Sequence, residues 1–235
     1  MTEAIDYFNS QSVWRGLATH LALRARRSMY ARFLTLARVT PQQRILDLGV
    51  TPDTSLPDSN FLERWYPYPA NITMASHEDC SGLEAFFPGS RFVQIQAARA
   101  LPFPAAAFDI GFSSAVLEHV GSSAHQQFFL QELLRTSEQV FLTTPDRAFP
   151  IELHTFVPFL HWLPKPWHRV LLRRLGQPFW AQEAHLNLLT RRALAHLVRE
   201  ALRATGRQAR WSIGSHRLLG LSSNLLLWVQ GEGRS

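Results

Sequence analysis

Glu152 and His154 are the side chains of this sequence best suited to acid–base chemistry. On an extended segment alternate residues face the same side, so the spacing predicts that the two lie together. A carboxylate beside an imidazole raises its basicity and fixes its tautomer, which suits binding or deprotonation of a polar acceptor. With His161 the pair also offers metal-ligand atoms, but the spacing matches no firm signature, and no metal site is predicted. A lid segment without chemistry is the alternative interpretation.

His119 is a second candidate for a general base. It follows an apolar run over 108–113 that reads as a strand, and open α/β sheets bind ligands beyond the carboxyl ends of their strands. Histidine also suits proton transfer near neutral pH. The alternative is structural, since Glu118 and His119 would also serve to cap or pack the next helix.

The elements that must position these side chains alternate along the chain. Short apolar runs predict strands at 44–49, 72–76, 91–95, 108–113 and 139–144. Helical patterns cover 5–38 with a break near Ser10, then 61–65, 81–87, 123–136 and a helix capped by Thr190. This alternation predicts a doubly wound parallel sheet. Runs at 208–213 and 225–230 predict a terminal hairpin.

Three segments, in this order, resemble the class I S-adenosyl-L-methionine (SAM)-dependent methyltransferases of the type 11 group. They are Arg44-Ile-Leu-Asp-Leu-Gly49, Leu101-Pro-Phe-Pro104 running into Phe108-Asp-Ile, and Ser113-Ser-Ala-Val-Leu-Glu-His-Val120. The resemblance covers residues 43–145. It implies a Rossmann-like fold with a mostly parallel seven-stranded sheet, a C-terminal antiparallel hairpin, an N-terminal helix and a helical lid insertion.

The same resemblance implies one methyltransferase domain over 1–235. Its parts would be an N-terminal helical segment at 1–40, a cofactor-binding core at 41–144, a lid or acceptor insertion at 145–188, and a C-terminal helix and hairpin at 189–235. The resemblance implies that the following residues bind the cofactor: Asp47, Gly49, Val50, Thr51, Glu78, Asp79, Ala98, Arg99 and Ser113. The implied cofactor is SAM, with S-adenosyl-L-homocysteine (SAH) as product.

The cofactor loop departs from the family pattern D-x-G-x-G-x-G. Here it reads Asp47-Leu-Gly49-Val-Thr-Pro-Asp53 and keeps one glycine. Glycines matter in such a loop because they adopt positive φ and let the cofactor approach the backbone. The acid that the family places near the adenine is Ala97 in this chain.

Two functions follow from the resemblance and the departures. The first is methyl transfer to an O or N atom of a small or lipid-linked acceptor, with His119, Glu152 and His154 as catalytic candidates. The second is a cofactor-free, methyltransferase-like protein that serves as a binding or partner subunit. Positioning of the acceptor would supply most of the catalytic gain in the first case.

Charge and composition indicate which classes of partner the protein could bind. The net charge is +6, and residues 151–210 hold ten Lys/Arg against three acids. The stretch 165–174 predicts a basic amphipathic helix, which would contact an anionic membrane or admit a lipid-linked acceptor, or else form a lid with solvated arginines. Its aromatic residues cluster with apolar ones and do not interleave with basic ones, which argues against nucleic-acid binding.

Other features exclude whole classes of protein. The single Cys80 rules out a disulfide framework within the chain, and 46% apolar residues rule out a disordered chain. No run approaches the ~18 apolar residues of a membrane span. The first residues lack a basic n-region followed by an apolar run, so we expect a cytoplasmic protein, with peripheral membrane contact as the open alternative.

Overall fold

One seven-stranded sheet organises the part of the chain that the computed structural model describes, residues 13–231, with side chains from residue 19 onward. The strands are β1 Ile45–Leu48, β2 Ile72–Ser76, β3 Arg91–Gln94, β4 Phe108–Ser114, β5 Ser137–Pro145, β6 Ala209–Leu218 and β7 Leu221–Gly231. The helices are α1 Val13–Ala37, α2 Phe61–Trp65, α3 Leu83–Phe86, α4 Ser123–Thr136, α5 Lys165–Arg174 and α6 Arg191–Ala204. Short 3-10 turns lie at Pro69–Asn71, Leu117–His119 and Leu160–Trp162.

The strand order is β3-β2-β1-β4-β5-β7-β6. Strands β1 to β5 pair in parallel, whereas β7 is antiparallel to both β5 and β6. The predicted fold class, a doubly wound sheet closed by an antiparallel hairpin, is confirmed. Strand order reverses between β1 and β4, and ligands of open α/β sheets bind in the crevice that such a reversal creates.

Strand β1 divides the core between the two faces of the sheet, because its side chains alternate. Leu46 and Leu48 pack on the face covered by α4 and α6. Ile45 packs on the other face with Met29 and Phe33 of α1. Asp47 lies on the same face as Ile45, so a carboxyl group is placed among apolar side chains.

Helix starts agree with their sequence signals. The Ser122 side chain accepts the backbone N–H of His125 at the start of α4, and Thr190 accepts that of Ala193 at the start of α6. Such caps stabilise a helix by about 1 kcal/mol. The predicted helix over 5–12, with its break near Ser10, lies outside the described residues.

The lid after β5 corrects one expectation. Residues 151–155 are not extended; they form a turn closed by the backbone N–H of Phe156, which donates to the Glu152 carbonyl at 2.8 Å. The turn forms because the Glu152 carboxylate accepts the backbone N–H groups of His154 and Thr155. Glu152 and His154 therefore meet through a capped turn and not through strand alternation.

None of the helices in the described part of the chain is long and apolar enough to span a membrane.

Candidate functional site

Gly49 ends β1 at the crevice and can be only glycine. Its φ is +104°, and a Cβ at this position would lie 2.4 Å from Cγ2 of Val116. Its N–H donates to the carbonyl of Ala75 in β2 at 2.7 Å. Gly49, the one glycine that the loop retains, therefore allows the ends of β1, β2 and β4 to lie close together.

Side chains, not further glycines, hold the rest of this loop. Asn60 accepts the N–H of Thr51 at 3.0 Å and donates to the Thr51 carbonyl at 2.8 Å. Arg64 donates to the carbonyls of Thr54 and Ser59. Sequence reasoning missed Asn60 and Arg64, although Asn is the non-glycine residue best suited to the left-handed backbone that Asn60 adopts, with φ 48°.

The other predicted cofactor residues line neighbouring strand ends. Val50 is buried, and its carbonyl accepts Cys80 Sγ at 3.7 Å. Glu78 is half-buried just after β2, whereas Asp79 is exposed and accepts the N–H of Ser81. That hydrogen bond lowers the pKa of Asp79. Of the two acids, Glu78 therefore has the carboxylate that is better placed to bind a ligand.

Ala98 and Arg99 lie on an exposed turn after β3. Ala98 has φ 54°, and the N–H of Arg99 donates to the Gln96 carbonyl at 3.3 Å. Both residues sit at the carboxyl end of the sheet, beyond Gln94. The Arg99 side chain is exposed to solvent there.

Two of the predicted cofactor side chains are turned inward. Ser113 is fully buried, and its hydroxyl donates to the Leu48 carbonyl at 2.8 Å, so its side chain ties β4 to β1. Asp47 faces Glu63 of α2, and both carboxyl groups are buried. Burial raises the pKa of Asp47 to about 7 and raises that of Glu63 well above its ordinary value, with Asp47 as the second cause. Burial between β1 and α2 therefore favours the protonated forms of both carboxyl groups.

The three predicted catalytic residues form a single cluster at the carboxyl ends of β4 and β5. Nδ1 of His154 lies 2.5 Å from Oε1 of Glu152, and the rings of His154 and His119 meet edge to face with centroids 4.8 Å apart. Sequence reasoning treated His119 and the Glu152–His154 pair as separate candidates. The lid turn brings them together.

The two histidines of this cluster have opposite pKa shifts. Burial lowers the pKa of His119, which keeps the ring neutral at pH 7. Burial by itself would lower the pKa of His154 as well, but the Glu152 carboxylate outweighs it and raises the pKa. Glu152 responds in turn: burial opposes ionisation, yet the charge of His154 lowers its pKa to about 2.

Glu118 and Arg26 complete the cluster, and neither was a predicted site residue. Glu118 is fully buried and accepts the hydroxyl of Thr144 at 2.8 Å. Arg26 of α1 donates to the Ser114 hydroxyl at 2.8 Å and has Asp58 at 3.8 Å. Burial lowers the pKa of Arg26, but an arginine stays protonated in proteins. The charge pattern of α1 gave no signal that Arg26 is the half-buried one among the arginines whose side chains are described in this helix.

The lid, residues 145–188, covers this cluster with an aromatic ring and exposes apolar side chains to solvent. The Trp180 ring packs on His154 at a tilt of 45°, with ring centroids 4.9 Å apart. Nine of the twelve exposed large apolar side chains of the described residues lie in the lid: Ile151, Leu153, Phe156, Phe159, Trp162, Leu163, Trp167, Val170 and Leu175. Arg173 and Arg174 of α5 are exposed among them.

Comparison with known proteins agrees with this architecture. A family model described as a methyltransferase domain, of type 11, matches residues 69–139. No curated protein matches the sequence significantly.

Three similar solved structures illustrate the fold. The YcgJ protein of Bacillus subtilis is 12% identical, with a TM-score of 0.55 over 88% of this chain and 100% of its own. An S-adenosylmethionine-dependent methyltransferase of Mesorhizobium loti is 12% identical, with a TM-score of 0.55 over 82% and 94%. Magnesium protoporphyrin IX methyltransferase of Synechocystis, solved with bound SAH, is 12% identical, with a TM-score of 0.53 over 96% and 91%.

The strand order and the single reversed strand β7 show that the chain has the fold of the class I methyltransferases, and residues 69–139 are similar to a type 11 methyltransferase domain.

Proposed function

We propose that this protein is a SAM-dependent methyltransferase that acts on an O or N atom of a small or lipid-linked acceptor. The observation that carries the proposal is the buried cluster of His119, Glu152 and His154, which lies beside the cofactor loop: Val116, packed on Gly49, is three residues from His119. A methyl acceptor bound at the cluster would lie next to a cofactor bound at that loop.

The residues at the strand ends fit a SAM molecule. Gly49 turns the loop backbone at the end of β1 with a positive φ, as the cofactor loops of this fold require, and the half-buried Glu78 suits the two ribose hydroxyls. SAM supplies a methyl group on a positively charged sulfur. The chain itself would orient the acceptor, exclude water with the lid, and take up a proton at the neutral His119.

The lid surface favours a lipid-linked acceptor. Apolar and arginine side chains of α5 share one exposed surface, and such a surface suits the interface of an anionic membrane. The cluster lies beneath the same lid, so a headgroup could enter while its lipid tail stayed in the membrane.

The cofactor-free alternative has its own supporting observation. The family's later glycine positions hold Thr51 and Asp53, and the loop also carries Pro52 and Pro57 and is held by the Asn60 side chain. A loop fixed in this way would give a stable partner subunit even without a ligand.

Calorimetric titration with SAM and SAH separates the two functions. We expect micromolar binding, about −8 kcal/mol. Glu78→Gln should weaken it about tenfold, whereas Asp79→Asn, whose carboxylate already serves Ser81, should leave it unchanged. Absence of binding by either ligand would sink the methyltransferase proposal and leave the partner subunit.

Sedimentation with vesicles of phosphatidylcholine and phosphatidylglycerol tests the lipid interpretation. Trp167→Ser should release the protein from the vesicles, because this side chain is 66% exposed on α5. Leu219→Ser is the matched control, since Leu219 is 94% exposed but lies on the β6–β7 turn. Equal sedimentation of both variants, or none by the unaltered protein, would remove the membrane from the proposal.

A further inference from the structure

Glu118, His119 and His154 bring three metal-ligand atoms to one point. Glu118 and His119 belong to the 3-10 turn after β4, and His154 belongs to the lid turn. One carboxylate oxygen and one nitrogen from each ring all lie within 4.8 Å of one another. The spacing along the sequence gave no such group, because Glu118 and His154 are brought together only by the lid.

Each imidazole has an oxygen acceptor at Nδ1, as metal-bound histidines usually do. Nδ1 of His119 lies 2.6 Å from the carbonyl oxygen of His185, and Nδ1 of His154 lies 2.5 Å from the Glu152 carboxylate. An acceptor at each Nδ1 assigns the proton to that nitrogen in the neutral ring, which puts the lone pair on Nε2. A histidine that binds a metal almost always donates its other N–H to a carbonyl or carboxylate in this way.

Glu118 supplies an observation independent of the histidines. Its side chain is fully buried, and Oε2 accepts the Thr144 hydroxyl at 2.8 Å. Oε1 has no hydrogen-bond partner among the described residues and lies 3.9 Å from Nε2 of His119. Leaving a buried polar atom unpaired costs about 1–3 kcal/mol, and more when it is charged. A cation at this point would remove that cost.

The charges around the cluster also leave room for two positive charges. Glu118, Glu152 and Asp58 are the carboxylates whose charge acts on the cluster or on Arg26, and Arg26 is the guanidinium that faces them. Apart from any proton on the histidines, three negative charges therefore oppose one positive charge. A metal ion would displace such a proton, because a histidine binds metal through its neutral ring.

We propose that Glu118, His119 and His154 bind a divalent transition-metal ion of the Zn²⁺ type. Two imidazoles and one carboxylate form a donor set that zinc takes in catalytic sites, with a fourth position open to water or to an oxygen of the acceptor. Ligand atoms around a tetrahedral zinc lie about 3.3 Å apart, so the three side chains close by roughly 1.5 Å on binding. Glu152 then acts as a positioning residue that holds the ring of His154.

A bound metal would change the role of His119, and this consequence depends on the proposed function. As a ligand, His119 would no longer take the acceptor's proton; the ion would lower the pKa of a bound acceptor hydroxyl, and its proton would pass to water. Metal binding itself needs neither SAM nor an acceptor. It is therefore measured separately from the methyltransferase proposal.

The test is titration of chelator-treated protein with Zn²⁺, and with Co²⁺ to record its visible spectrum. We expect one ion per chain. Glu118→Gln and His154→Gln should each weaken Zn²⁺ binding by about a hundredfold or more, and Glu152→Gln should weaken it by about ten- to a hundredfold. His125→Gln removes an exposed imidazole at the start of α4 and should bind Zn²⁺ as the unaltered protein does.

Either of two results would overturn the inference. The first is that the unaltered, folded protein binds no stoichiometric ion, a result that does not depend on whether the variants fold. Equal Zn²⁺ affinity in His154→Gln and the unaltered protein would place the ion elsewhere. In either case the cluster would be an ion pair between Glu152 and a protonated His154. SAM titration of the same samples reports separately on the proposed function.

Discussion

The carboxyl end of the sheet has two halves that are built in opposite ways. At the ends of β1 to β3, Asp79 and Arg99 are exposed, whereas Asp47 is buried against Glu63 of α2. Around β4 and β5, buried charged and titratable side chains meet under the lid, among them Glu118 and Glu152. In the proposed function, the half beneath the lid would supply buried side chains to the acceptor, and the half around β1 would hold the cofactor by backbone geometry and by side chains at its surface.

The largest effect that follows from this contrast is at Gly49. We expect Gly49→Ala to lower the free energy of unfolding by about 3 kcal/mol, because it adds the strain of positive φ to a clash with Val116. Gly82→Ala is the control, since a Cβ there meets nothing within 4 Å. Urea unfolding measures both. Equal urea midpoints for Gly49→Ala and Gly82→Ala would show that the end of β1 tolerates a side chain at residue 49.

The Asp47–Glu63 pair should make stability depend on pH. The fold raises both pKa values, Asp47 to about 7, so the folded chain retains protons that the unfolded chain loses above about pH 4. Stability should then fall as pH rises from about 4 to 7, by up to about 1.4 kcal/mol per pH unit for each group. Glu63→Gln should reduce this slope and should be more stable than the unaltered protein at pH 8, because it removes one of the two buried carboxyl groups.

Urea unfolding at several pH values checks this prediction. The exposed glutamate in β5 provides the control, because Glu138→Gln removes a carboxylate outside the buried pair. A Glu63→Gln variant that keeps the full slope would mean that the buried pair is ionised and is balanced in some other way.

Asn60 tests whether the clamp replaces the missing glycines. We expect Asn60→Ala to weaken SAM binding about tenfold, or about 1.4 kcal/mol, because Thr51 loses both of its hydrogen bonds to the loop. Asn71→Ala is matched to it, since Asn71 binds only the Pro41 carbonyl at the opposite end of the sheet. Stronger SAM binding by Asn60→Ala would show instead that the clamp closes the loop against the cofactor.

The smallest effect is expected at Ser113. Loss of its hydrogen bond to the Leu48 carbonyl should cost about 1 kcal/mol of stability in Ser113→Ala. SAM affinity should stay the same, because the hydroxyl serves the sheet and not the crevice. Ser212→Ala, at an exposed position of β6, controls for the substitution itself. If Ser113→Ala lowered the SAM affinity, the Ser113 side chain would take part in cofactor binding.

The fold was accessible from the sequence, and the site only in part. Apolar runs and the Thr190 cap are local signals, and the strands and α6 lie where these signals predicted them. The site depends on contacts between distant segments, such as Arg26 with Ser114 and Glu118 with His154. Residue types and local spacing identified His119, Glu152 and His154, but their meeting point is set by the lid, where a turn is found in place of the expected extended segment.

The position of β7 has a consequence for synthesis of the protein. It lies between β5 and β6 in the sheet but follows both in the chain. On the ribosome, β5 must therefore wait for the lid, α6 and β6 before its second neighbour exists. During that interval its N–H and C=O groups, on a strand that includes Val140, Phe141 and Leu142, form an open edge. An edge of this kind invites aggregation or a chaperone, and we expect chains that stall before Leu221 to be the ones that associate.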